Sequence, residues 1–247
     1  MNSQSGEYSP NRESRWKEAI NLIIKLAGDE NKKQIKILDL GCGDGAVFAF
    51  LKDRLLKNNI GVAKIKYTGV DVSGSYEPKV RKLGGIFVKK SVFDLKEVFK
   101  KGSFDVIIAS DIIEHVVNTD EFINVIKWVL KPNGYLFITT PNLSSWHSRL
   151  LLFFGYQPLP TEVSSARSDF GKGIFGKMYS RGDNQAIHHV RIFTQKALIE
   201  FLAYHGLEIK SVSGGGYRKY DEVIFRCLKS FSPVIKVICQ KSKSKKE

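Results

Sequence analysis

Apolar residues recur along this chain with two different periods. Trp16, Ile20, Ile23, Ile24 and Ala27 fall at helical spacing, and Gly28 supplies a stop. After the polar turn 29–33, Ile35, Ile37, Leu38 and Leu40 predict a buried strand running into a glycine-rich turn, and Phe48, Leu51 and Leu55 mark a second helix. Stretches rich in β-branched and aromatic residues predict strands over 65–72, 86–94 and 104–110. Phe122, Val125, Ile126, Val129 and Leu130 share one helical face, with Asn118 or Thr119 as the cap. Pro132-Asn133-Gly134 then turns into a fifth strand over 135–140. Strands alternating with helices in this way indicate βαβ units and a mostly parallel sheet.

The regularity breaks at residues 141–190, which carry Pro, Gly, Ser and aromatics without a sustained period. That length is too great for a bare loop and predicts a functional insertion or lid. Thr194 caps a further helix containing Ala197, Leu198, Phe201 and Leu202, ending near Gly206. Residues 207–212 and 233–240 have the pattern of closing strands, and there is no internal repeat. The expected organisation is a single domain over 1–247. It comprises a helical segment 1–34, a ligand-binding core 35–140, an insertion 141–193, a closing helix and strands 194–240, and a basic tail 241–247.

Composition narrows the classes. With 43% hydrophobic and 26% charged residues, the 247-residue chain is globular rather than disordered. Cys42, Cys227 and Cys239 lack metal-ligand spacing and cannot all pair, which argues against a disulfide scaffold and for a reducing cytosol. Neither a secretory signal nor a membrane-spanning run is visible. The formal charge is +14. Residues 1–140 carry 22 basic and 17 acidic side chains, whereas 141–247 carry 17 and 8. The excess therefore falls outside the predicted core, and it permits nucleic acid, an anionic lipid surface or an acidic substrate as partner.

Asp39-Leu40-Gly41-Cys42-Gly43-Asp44-Gly45 sits where the first strand passes into a helix. Glycines there permit a sharp turn and close approach of a ligand. Gly41, Gly43 and Ala46 also satisfy a degenerate dinucleotide fingerprint, so a nicotinamide ligand is an alternative. Asp39 and Asp44, however, crowd the place of a pyrophosphate. Like charges a few Å apart cost about 1 kcal/mol or more. A ligand with a cationic amine and a sulfonium would welcome them.

Together with Gly69-Val70-Asp71-Val72-Ser73, Asp94, the segment 104–116 (FDVIIASDIIEHV) and the segment 130–142 (LKPNGYLFITTPN), this loop resembles the class I S-adenosylmethionine-dependent methyltransferases. The resemblance covers residues 35–142. It implies an α/β fold, a doubly wound, mostly parallel seven-stranded sheet of Rossmann-like type with an insertion after the fifth strand. It also implies S-adenosyl-L-methionine as cofactor, bound by Asp39, Gly41, Gly43, Asp71, Val72, Asp94, Ser110 and Asp111. Asp39 would lie near the amino group, Asp71 would accept from both ribose hydroxyls, and Asp94 would meet the adenine amine. More loosely, PNLSSW (141–146), RLLLFFGYQP (149–158) and HHVRIFTQKALIEFLAYHGLEI (188–209) resemble the ubiquinone-biosynthesis and surface-glycan branch of the family.

The acceptor site is expected after the fifth strand, with oxygen of a small molecule, glycan or lipid-linked intermediate as the favoured destination. His147, His188, His189 and Asp111 are the candidate proton acceptors. Glu114-His115 is expected to be structural, and no metal is expected, because the adjacent His188 and His189 point to opposite sides of an extended chain. Leu150–Phe154 is expected to be a helix buried against the sheet, with a lipid-facing or acceptor-facing lid as the alternative. A cytoplasmic enzyme, peripheral at an anionic inner membrane face, fits the charge. RNA methylation ranks lower, because no Asn-Pro-Pro-Tyr-type motif follows the fourth strand, where Ser110-Asp111-Ile112-Ile113 stands. A non-catalytic cofactor-binding module is the further alternative.

Overall fold

The computed structural model describes residues 12–179, 188–216 and 228–242. The chain runs α1 (Arg12–Ala27), β1 (Ile35–Leu40), α2 (Ala46–Lys57), β2 (Ile65–Asp71), α3 (Glu77–Lys82), β3 (Ile86–Lys89), α4 (Leu95–Val98), β4 (Phe104–Ser110), α5 (Thr119–Val129) and β5 (Leu130–Pro141). It continues with α6 (Trp146–Phe153), α7 (Gly173–Tyr179), α8 (Gln195–Tyr204), β6 (Leu207–Gly215) and β7 (Val234–Lys241). The seven strands form one sheet in the order β3-β2-β1-β4-β5-β7-β6. The first five are parallel, and β7 is inserted antiparallel between β5 and β6.

Both faces of the sheet are covered, which is why its central strands read as continuous apolar runs. On one face Trp16, Ile20 and Ile23 of α1 pack with Phe48, Leu51 and Leu55 of α2. On the other, Phe122, Ile126 and Val129 of α5 pack with Leu198 and Leu202 of α8. Asn118 caps α5 through Oδ1, and Thr194 caps α8 through Oγ1, as the sequence predicts.

Three elements differ from expectation. β3 stops at Lys89, because the Ser91 hydroxyl accepts from Phe93 N–H and nucleates a 3-10 turn over 92–94. Asp94 thus follows a turn rather than ending a strand. β5 begins earlier, at Leu130 beside Phe104, and absorbs the 131–134 turn as an irregularity in which Asn133 takes φ 60°. The expected burial of Leu150–Phe154 is the third. In α6 only Leu151 of that run is buried, while Leu150, Leu152, Phe153 and Phe154 face outward, Phe153 at 81% exposure. The polar Ser145 and Ser148 take the inner face instead, hydrogen-bonded to each other.

The described cysteines, Cys42 and Cys239, are buried and free, while Cys227 lies outside the described residues, as does most of the basic tail. Among the described residues no helix is long and apolar enough to cross a membrane.

Candidate active site at the strand C-termini

The loop after β1 turns on three residues with left-handed backbone, Gly41, Gly43 and Gly45, at φ 64°, 50° and 78°. Gly41 and Cys42 anchor it by donating to the Val70 carbonyl. A side chain added at Gly43 would meet nothing within 4 Å, so the loop backbone is open to a ligand there. Asp71, at the end of β2, orients its carboxylate against this loop: Oδ2 accepts from Gly43 N–H at 3.0 Å and Oδ1 from Ser73 N–H at 2.9 Å. Each oxygen keeps further acceptor capacity for a diol. Val72 beside it is 69% exposed, an apolar surface available to a ligand.

Behind the loop the site is acidic and dry. Asp39 is buried and accepts a 2.6 Å hydrogen bond from the Tyr67 hydroxyl, whose ring stacks on Phe48. Burial pushes the Asp39 carboxyl up to about 7, helped by the charge of Asp71 and opposed by the Tyr67 hydrogen bond. Burial, with the fields of Asp39, Asp71 and Asp44, likewise holds the Cys42 thiol protonated. Asp71 and Asp44 beside the glycine loop, with Asp39 buried behind it, suit a cationic ligand better than a pyrophosphate. The donor chemistry therefore fits S-adenosylmethionine.

At the end of β4 a polar network joins α1, β4, β5 and the loop after β4. Trp16 Nε1 of α1 donates to Ser110 Oγ, which lies 3.0 Å from Thr139 Oγ1 of β5. Asp111 follows with φ 52°, a sparsely populated conformation for a non-glycine residue. Its backbone N–H and its Oδ1 both bond Thr139, and Oδ2 pairs with the Arg15 guanidinium. Sequence reasoning missed Arg15, because the pairing spans 96 residues and carries no local signature. It places a cation at the mouth of an otherwise acidic site.

Glu114, expected from the sequence to be structural, lies beside this network. It is buried at 1% exposure, and its Oε2 accepts from Thr140. Burial and the nearby Asp111 charge push its carboxyl up to about 8. The return segment after the insertion is stitched over it, since Val190 and Arg191 donate backbone N–H groups to the Glu114 carbonyl. That brings His189 against His115, with ring centroids 4.9 Å apart. One ligand atom each from Glu114, His115 and His189 lies within 4.8 Å of the others. His115 Nδ1 faces the His188 carbonyl and His189 Nδ1 the Pro160 carbonyl. Carbonyls only accept, so both imidazoles donate from Nδ1, which in the neutral tautomer leaves the lone pair on Nε2. Such a set can take up a proton or hold a cation.

The candidate histidines thus separate. His189 joins the strand-end cluster, and burial lowers its proton affinity, keeping it neutral at physiological pH. His188 is exposed with φ 63°, and its backbone serves instead: its N–H, with that of His189, donates to Glu162. His147 lies on α6 and approaches Ser145 Oγ at 3.3 Å. Asp94 lies past β3, its backbone bonded to Ser91.

A family model described as a methyltransferase domain matches residues 10–212. The mitochondrial ubiquinone biosynthesis O-methyltransferase of Bos taurus is 33% identical over 144 residues, which are 56% of this chain and 38% of that protein. The ubiquinone biosynthesis O-methyltransferase of Pelagibacter ubique is 35% identical over 136 residues, 55% of this chain and 54% of its own length. The chain thus spans about half or less of the length of these relatives. Among solved structures, a SAM-dependent methyltransferase from Methanosarcina mazei superimposes with a TM-score of 0.58 at 18% identity, covering 86% of this chain and 94% of that one. One from Aquifex aeolicus does so with a TM-score of 0.53 at 15% identity, covering 94% and 95%. These two likenesses extend to the fold, and the family match extends from α1 into β6, so the chain belongs to the methyltransferase-domain family, within the class I S-adenosylmethionine-dependent methyltransferases.

Proposed function

We propose that this chain is an S-adenosylmethionine-dependent methyltransferase that methylates an oxygen of a small molecule, a glycan or a lipid-linked intermediate, in the cytosol or at its membrane face. The acceptor enters beside residues 188–193, and His189 takes its proton. The observation that carries this reading is the placement of His189, held by the Pro160 carbonyl and the Glu162 carboxylate against Glu114 and His115 beyond the ends of β4 and β5. A hydroxyl acceptor needs such a base, whereas an already nucleophilic amine does not.

When bound, S-adenosylmethionine supplies a methyl carbon on a sulfonium, so the acceptor oxygen gains that carbon as the carbon–sulfur bond returns its electrons to sulfur. The chain's own residues orient the two reactants. Asp71 holds the ribose hydroxyls, Asp39 and its neighbouring carboxylates favour the cationic end, and Arg15 offers a guanidinium to a carboxylate. Positioning of this kind can supply roughly 7–11 kcal/mol of the barrier. His189 removes the acceptor proton, and residues 190–191, bonded to the Glu114 carbonyl, cover that buried carboxylate.

The test is transfer of labelled methyl from S-adenosylmethionine into cell-lysate fractions separated into lipid, glycan, small-molecule and RNA pools. Label in a lipid, glycan or small-molecule ether or ester supports the reading. Label in RNA moves the acceptor class, and cofactor binding without any labelled product points to a non-catalytic module.

A further inference from the structure

The outward face of α6 is inverted relative to an ordinary surface helix. Trp146, Leu150, Phe153 and Phe154 recur at i, i+4, i+7 and i+8, and so form one stripe, exposed at 48–81%. Ser148 and Leu151 occupy the opposite, buried face. Beyond the helix, Tyr156, Phe170, Ile174 and Phe175 extend the exposed apolar surface, with Tyr156 and Phe175 in ring contact. Single exposed apolar residues need no explanation, but a concentration of large ones within residues 146–175 does.

The charges beside the helix stripe itself are basic. Arg149, on the edge of the stripe, lies 4.4 Å over the Phe231 ring and donates to the Ser144 carbonyl, so its charge is met by neutral partners. Lys229 is exposed on the adjoining turn. The two acidic residues within 146–175 are engaged: Asp169 by Arg167, and Glu162 by the backbone N–H groups of His188 and His189.

From this we infer that the α6 face docks on an anionic lipid bilayer, its aromatic and leucine side chains entering the headgroup boundary while Arg149 and Lys229 meet the lipid phosphates. Trp and Tyr suit such a boundary, where one part of the ring is apolar and the other wet, and arginine can reach the phosphates while its stem stays in the apolar zone. A second copy of the chain fits less well. A two-fold contact through this stripe would set Arg149 near its own symmetry mate and leave both cations without a counter-charge. The surface begins five residues after β5, on the same end of the sheet as Asp111 and Glu114. A docked molecule therefore turns its acceptor side towards the lipid. The docking itself does not depend on methyl transfer, and the two are measured separately.

Vesicle flotation of the intact chain tests it, using vesicles of phosphatidylcholine alone and of phosphatidylcholine with phosphatidylglycerol. We expect flotation with the anionic vesicles and its decline with rising salt. The double variant Phe153→Ser/Phe154→Ser should bind at least about tenfold more weakly. Arg149→Gln should weaken binding to anionic vesicles only. Tyr204→Ser, which alters an equally exposed aromatic on α8, should leave binding unchanged. Titration with S-adenosylhomocysteine reports that each variant is folded. Equal flotation of the double variant and the parent would overturn the inference. So would absence of flotation together with a parent dimer, seen by sedimentation, that the double variant abolishes.

Discussion

Replacing Asp71 by Asn changes one atom and separates two roles of this carboxylate. In the free protein, Oδ1 and Oδ2 each accept one backbone N–H, from Ser73 and Gly43, and these bonds fix the loop after β1 relative to β2. An amide keeps one acceptor and turns an NH2 towards the other donor. Loss of one such partly exposed bond should cost about 1 kcal/mol, which for a domain of this size lowers Tm by about 2–4 °C. Cofactor binding loses more, because a ribose hydroxyl also exchanges a charged acceptor for a donor. Hydrogen bonds to charged groups are worth about 1.5–3 kcal/mol, so Kd should rise roughly 10- to 150-fold. Calorimetric titration with S-adenosylhomocysteine gives Kd, and thermal unfolding without ligand gives the loop contribution. A Kd within threefold of the parent's would refute the assignment of Asp71 to the ribose. A collapse of Tm by more than about 10 °C would show that the carboxylate is chiefly structural.

Asp39 makes stability depend on pH. Its folded-state value, about 7, lies above the ordinary 3.8, so its contribution favours folding below pH 3.8 and is lost as pH rises through about 7. Asp39→Asn, which can still accept from Tyr67, should flatten the fall in Tm between about pH 5 and 8 while weakening cofactor binding, as pH-dependent unfolding and titration will show. His189→Ala should lower kcat towards a hydroxyl acceptor by about 10²–10⁴-fold, with cofactor Kd unchanged; an unchanged kcat would remove His189 from proton transfer. Lys236, at 1% side-chain exposure, pairs with Glu18 at 2.9 Å and donates to the Ser14 carbonyl. Lys236→Met should cost about 3–5 kcal/mol in denaturant unfolding, and adding Glu18→Leu should restore much of it. Gly69→Ala should also destabilise measurably in the same assay, since the new Cβ would stand 2.6 Å from Cys42 Sγ, buried against β2.

What the sequence made legible follows the range of the forces involved. The parallel core was readable because strands buried on both faces must be apolar throughout, and the glycine turn because its backbone shape excludes side chains. Asp71 was readable from its place at a strand end. Arg15 and Lys236 were not, since their partners lie 96 and 222 residues away and only the folded chain joins them. Glu114 was legible as a structural residue, but its partners Thr140 and the backbone of Val190 and Arg191 were not, since they lie 26 residues and more away. In α6 the error had a different source. Apolarity signals a preference to leave water, and it does not say whether the refuge is the protein's own core.

Helix α1 supplies Arg15 and Trp16 to the site, yet it is fastened to the sheet by Lys236 on β7. Ser14 and Lys236 are separated by 222 positions. At ribosomal speeds of roughly 5–20 residues per second, the fastener is synthesised roughly 10–45 s after the helix it holds. The five parallel strands can assemble during that interval with α1 held only by its apolar face and its contacts at the end of β4. The polar clamp on α1 should therefore close last, when β7 pairs with β5, so that a ribosome-bound chain stalled before residue 236 has the five parallel strands but holds α1 by its apolar face without the Lys236 clamp.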